Sequence, residues 1–179
     1  RLRSNQAGAV YSSVTIEAGG QRGGYAGRIA GVINDTQYDI AADGRGIAVE
    51  EVKWAVNPYD EFSLEEALRI KESRGDVKVT VLTVGPDRVT ESIRTAYAMG
   101  VDEAIHVNDE IDEEVYGAVD AATTARILAA ALRSIPFDLI IAGQRAVDCD
   151  NYQVPLLIAE ELGLPMIGMV TRQEIGDGT

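Results

Sequence analysis

The sequence predicts an α/β domain, a mostly parallel sheet with helices on both faces. Three observations carry this. Strand-like and helix-like runs alternate along the body of the chain, the order that crossover-connected parallel strands require. The helix-like runs stop on glycine or before proline, at Gly75, Gly100, Gly163 and Pro136. With 46% apolar and 25% charged residues, the 179-residue chain has an ordinary globular composition and enough length for one real core.

The elements follow in order. Residues 1–28 read as a flexible or atypical leader, with six glycines, four arginines and one acid, Glu17. The domain is expected over 29–179. Arg28 to Ile33 is a weak strand, and Val52 to Val56 is extended because Asn57 precedes Pro58. Asp60 or Ser63 caps the next helix, whose buried face is Leu64, Ala67 and Leu68. Gly75 ends it. Val77 to Val84 is rich in β-branched residues and reads as a strand. Thr90 to Met99 is a helix with Ile93 and Tyr97 on one side, closed by Gly100. Glu103 to Val107 is a short strand, and Val119 to Ser134 an alanine-rich helix. Strand Phe137 to Ala142, helix Val154 to Leu162 and strand Pro165 to Val170 complete the run. The closing Gly176-Asp177-Gly178 reads as a hairpin turn with no second strand, so the chain is expected to stop short of its natural end.

Charge and composition exclude several functions. A net charge of −13 argues against nucleic-acid binding and against docking to an anionic membrane. Eight acids and no Lys or Arg lie between Asp102 and Asp120, which reads as a solvated face. No apolar run approaches the ~18–20 residues of a membrane span. The single cysteine, Cys149, forms no intrachain disulfide.

In an open α/β sheet, ligands bind beyond the C-terminal strand ends. Two loops there stand out. Gly143 to Gln153 is polar, led by glycine, and leads from a buried strand into a helix whose free N–H groups suit a phosphate. Thr83-Val84-Gly85-Pro86 is a strand end whose glycine lets the backbone approach a flat ring or a sugar. Asn57-Pro58-Tyr59-Asp60 forms a third wall. The Asp148 to Asn151 oxygens lack the glycine and distal glutamate of a calcium loop, so no metal is expected. A Cys149–His106 nucleophile pair is set aside, because His106 belongs to a different strand. The sequence carries no P-loop and no Gly-x-Gly-x-x-Gly, so catalysis has no obvious constellation.

Four blocks in order resemble the beta subunit of electron transfer flavoprotein: Val52 to Phe62 with Glu65 to Glu72; Thr83 to Pro86 with Ile93 to Ala96 and Ala98 to Asp102; Ala104 to Val107; and Gly143 to Asp148 with Asp150, Asn151, Gln153 and Val154. The resemblance runs from about Ile33 to Ile175 and implies a Rossmann-like, adenine-nucleotide-binding fold. It implies an electron carrier rather than an enzyme, paired with an alpha subunit, sharing FAD and holding AMP or a second FAD in the beta site. Electrons would pass from acyl-CoA or other dehydrogenases to a quinone-linked acceptor, in the cytoplasm or, in a eukaryote, the mitochondrial matrix. The nucleotide contacts it implies fall on Asn57, Pro58, Tyr59 and Asp60; on Val84 and Gly85; and on Ala146, Val147, Asp148, Cys149, Asp150, Asn151, Tyr152, Gln153 and Val154, with backbone N–H groups near Asn151 and Gln153 on phosphate. Cys149 and Pro155 depart from the family's usual acid and small residue. A free-standing adenine-nucleotide sensor of universal-stress-like fold is the alternative.

Overall fold

The computed structural model describes residues 10–18, 25–26, 30–33, 54–108, 120–147 and 150–175. Seven strands form one sheet: β1 (Val10–Ala18), β2 (Tyr25–Ala26), β3 (Ala30–Ile33), β4 (Trp54–Val56), β5 (Val77–Val84), β6 (Glu103–Val107) and β7 (Leu139–Ile141). The helices are α1 (Pro58–Arg74), α2 (Thr90–Met99), α3 (Ala121–Leu132) and α4 (Val154–Leu162).

β5 explains why the fold needs two helical layers. Its residues alternate between two cores. Val77, Val79 and Val81 pack with Leu64, Ala67 and Ile70 of α1 and Ala96 of α2. Leu82 and Val84 pack with Ala125, Leu128 and Leu132 of α3 and Ile158 of α4. β5 is buried on both faces, with only Lys78 among Val77 to Val84 partly exposed. Each fully buried valine or leucine contributes roughly 1.5–3 kcal/mol.

The α/β expectation holds, with a detail the sequence hid. β5 pairs parallel with β6, and β2 parallel with β7. β1 lies between β5 and β7 and runs antiparallel to both, with Tyr11 to Ala18 opposite Val84 to Val77. β3 is antiparallel to β1, and β4 to β3. By direction, β2, β3, β5, β6 and β7 therefore run one way and β1 and β4 the other. Residues 1–28, expected as a leader, supply β1 and β2. The β-branched Val14-Thr15-Ile16 at the middle of β1 is the strand signal, hidden by the glycine-rich stretch that follows it.

Several expectations need correction. α1 begins at Pro58, with Asn57 as the residue before it, so neither Asp60 nor Ser63 caps it. Proline is pre-shaped for the first helical turn and loses no needed donor there. Asp60 and Ser63 instead join Leu64, Ala67 and Ile70 on the buried face, while Leu68 packs at its margin. α2 buries Ser92 and Ala96, leaving Tyr97 half exposed, with its hydroxyl accepting from Ala104 N–H at 3.0 Å. Pro165 to Val170 forms no strand. Ile167 is 84% exposed and Met169 has φ 56°. Its apolar alternation satisfied the pattern, but a strand exists only through a ladder partner. α3 starts at Ala121, two residues later than expected, because Asp120 caps it by accepting from Thr123 N–H at 2.7 Å. That bond holds the Asp120 carboxyl below the usual aspartate range. Gly75 and Gly163 end α1 and α4 in the left-handed conformation, as expected.

Asp102 locks the turn between α2 and β6 onto the rest of the domain. Its carboxylate accepts from Lys71 Nζ at 2.6 Å and from Val79 N–H at 2.8 Å. Burial pushes the Asp102 carboxyl up, but the Lys71 and Val79 bonds and the charges of Lys71 and Lys78 outweigh it and hold it below the usual range. The unfolded chain therefore takes up this proton first. The contribution is complete above the ordinary aspartate range and is lost as pH falls through the lower folded value. Asp102→Asn is expected to cost about 1 kcal/mol near pH 7, a charged hydrogen bond discounted for partial exposure. Urea titrations at stepped pH should show the gap between wild type and variant closing only below about pH 4; a gap independent of pH would refute this.

Candidate functional site

The site is built where the start of α1 meets the loop that leaves β7. Asn57 is extended, as the residue before proline must be, and its carbonyl accepts from Asp60 N–H at 2.8 Å and Glu61 N–H at 3.0 Å. Its side chain does not cap α1; it turns to the loop. Nδ2 donates to the Arg145 carbonyl at 2.7 Å and to Asp60 Oδ2 at 2.8 Å, and Oδ1 accepts from Val147 N–H at 3.2 Å. Both amide hydrogens and the oxygen are thus used, and Asn57 is fully buried.

Asp60, also fully buried, completes the brace: its Oδ1 accepts from Gly143 N–H at 3.0 Å. A Cβ on Gly143 would lie 2.2 Å from that Oδ1 and 2.8 Å from Cγ. Glycine is needed here for space, and the first turn of α1 is pressed directly on the exit of β7.

Arg145 reaches forward over this brace. Its guanidinium centre lies 4.9 Å from the Tyr59 ring centroid and 5.0 Å from that of Tyr152. Nη2 donates to the Tyr59 hydroxyl at 2.7 Å, and Nη1 pairs with Asp150 Oδ1. The Tyr59 bond, opposed by burial and aided by Asp150, holds the guanidinium above its usual pKa. Asp150 and Tyr152 have φ 52° and 58°, a conformation that a tyrosine seldom adopts. Strained residues of this kind gather at binding and switch sites.

The remaining expected residues surround this frame. Val84, Ala146 and Val154 share the core cluster beneath the loop. Gly85 is tied to β6: its N–H donates to the Val107 carbonyl at 3.2 Å, and His106 Nε2–H donates to its carbonyl at 2.8 Å. Gln153 precedes α4, which begins without a side-chain cap, and its N–H reaches Asn151 Oδ1 at 3.4 Å. Pro58 lies exposed at the start of α1. Asp148 and Cys149 lie outside the described residues. Three structural roles escaped the sequence reading. Arg145 is the sole cation of the 143–153 loop, which was a usable signal. The need for glycine at 143 and the His106–Gly85 bond depend on contacts between distant elements.

The chemistry on offer is binding: an uncapped helix start, a fixed cation and two aromatic faces at the C-terminal ends of parallel strands. Fold and site together define a Rossmann-like α/β domain. The chain belongs to the electron transfer flavoprotein domain family, whose model matches residues 45–179. It is similar to proteins named electron transfer flavoprotein subunit beta. The Bacillus subtilis protein is 36% identical over 143 residues, 79% of this chain and 53% of the relative. The Clostridium acetobutylicum protein is 36% identical over 130 residues, 73% and 48% of the two chains. The Dictyostelium discoideum protein is 33% identical over 138 residues, 77% and 53%. The chain spans about half the length of these relatives. Among the described residues no helix is long and apolar enough to cross a membrane.

Proposed function

We propose that the chain is the nucleotide-binding part of the beta subunit of a heterodimeric electron transfer flavoprotein. It binds AMP, or a second FAD, between the Asn57–Asp60 turn, the Val84–Gly85 strand end and the 146–154 loop. With an alpha subunit that shares the redox FAD, it passes electrons from acyl-CoA or other dehydrogenases to a quinone-linked acceptor, in the cytoplasm or mitochondrial matrix. It is a carrier and performs no catalysis of its own. The observation that carries this reading is the braced loop. Asn57 and Asp60, bonded to each other at 2.8 Å, hold Gly143, Arg145 and Val147 by three hydrogen bonds of 2.7–3.2 Å at the strand edge where such domains bind nucleotides, in a chain of this family.

Co-expression with an alpha-type subunit, followed by extraction of bound nucleotides, tests it. One FAD and one AMP per heterodimer is the expected result, and two FAD would place a second flavin in the beta site. AMP or ATP on the lone chain without a complex would instead support the sensor. Absence of both a complex and a bound nucleotide would overturn the proposal.

A further inference from the structure

We infer that Arg145 is a positioning residue: it holds the Asp150–Gln153 limb of the loop in its binding shape before any ligand arrives. The inference rests on the nucleotide-site reading above and adds to it the device that pre-shapes the site.

Arg145 is anchored at one end and grips at the other. Its carbonyl accepts from Asn57 Nδ2 at 2.7 Å, which fixes its backbone against α1. Its guanidinium then lies between the Tyr59 and Tyr152 rings, at 4.9 and 5.0 Å, and pairs with Asp150. The two loop residues it grips, Asp150 and Tyr152, are those with φ above 50°. A strained limb needs surrounding contacts to hold it. The Asp150 N–H bond to the Ala146 carbonyl, 2.9 Å, supplies one such contact, and the Arg145 fork and stack supply the rest. Arg145 Nε is buried with no partner, so the stacking geometry, rather than full use of its donors, sets where the side chain lies. Lysine cannot reproduce a planar group that stacks on two rings and forks to two oxygens. Holding the limb in place lowers the ordering cost that a ligand would otherwise meet.

The test compares backbone hydrogen exchange at the Asp150 amide, which donates to the Ala146 carbonyl, with AMP affinity, on the full chain. In ligand-free Arg145→Ala, exchange there should rise about tenfold or more, as a local opening that no longer breaks the clamp. AMP should bind about tenfold more weakly. Tyr152→Ala should match Arg145→Ala in exchange, and the double variant should be no worse than either single one. Arg145→Lys should fail with the alanine variant. Unchanged exchange in ligand-free Arg145→Ala would overturn the inference, and with weaker AMP binding it would make Arg145 a direct ligand contact. Additive losses in the double variant would overturn it too. If neither wild type nor its complex with an alpha-type subunit binds an adenine nucleotide, the function proposal fails while the exchange comparison still decides the clamp.

Discussion

Gly143→Ala is expected to separate the loop from α1 and to abolish retention of nucleotide. The added methyl would sit 2.2 Å from Asp60 Oδ1 and 3.0 Å from the Asp60 backbone nitrogen. Neither atom can yield cheaply, since the carboxylate is buried in its own bonds and the nitrogen donates to Asn57 within the first turn of α1. Relief requires the β7 exit to withdraw, which breaks the Gly143 N–H bond to a buried carboxylate. Overpacking and the lost charged bond together amount to about 3–5 kcal/mol. Gly143 is not in the left-handed region, so the penalty is one of space alone. Gly168→Ala is the matched control: its methyl would meet only Met166 Cε at 3.8 Å, and the change should stay within about 0.5 kcal/mol. Denaturant midpoints of the two variants measure the difference. Equal midpoints would mean that the α1–β7 contact gives way freely.

Asp60→Asn should be nearly as damaging, although it preserves size. Asp60 accepts on both oxygens, from Asn57 Nδ2 and from Gly143 N–H. An asparagine can accept on one side only and must turn its own NH2 toward one of those donors. Reversing Asn57 to compensate would forfeit its bonds to the Arg145 carbonyl and Val147 N–H. At least one buried donor is left facing another. The expected loss is roughly 2–4 kcal/mol, read from urea unfolding. Asn57→Asp meets the reverse fault, two carboxylates face to face. The double variant Asn57→Asp/Asp60→Asn should recover part of the loss, because donor and acceptor are exchanged between the two positions. No recovery would show that the Arg145 and Val147 bonds dominate the brace.

These residues show which levels of the architecture were legible in the sequence. β5, α2, β6 and α4 fall on the expected residues, from Val77, Thr90, Glu103 and Val154 to Val84, Met99, Val107 and Leu162. Each is announced locally, by β-branched runs or by glycine at the end, and a local signal needs no partner to be read. The loop and the Asn57–Asp60 turn were likewise singled out from strand order. β1 was obscured by the glycine-rich stretch that follows it, and the 165–170 segment looked like a strand because alternation is only half of what a strand needs. Strand pairing is a property of two segments at once.

The sequence by itself determined the alternation of elements, the helix ends at Gly75 and Gly163, the strand at Val77 to Val84, and which loops stand at the sheet edge. Tertiary structure alone decided that β1 runs antiparallel between β5 and β7, that Asp60 serves Gly143 rather than the helix end, and that Arg145 lies between two tyrosines. The reason is the reach of the interactions. Propensity, capping and periodicity act within a few residues, whereas the brace joins side chains and backbone 83 to 90 positions apart, which only the folded sheet brings within hydrogen-bond distance.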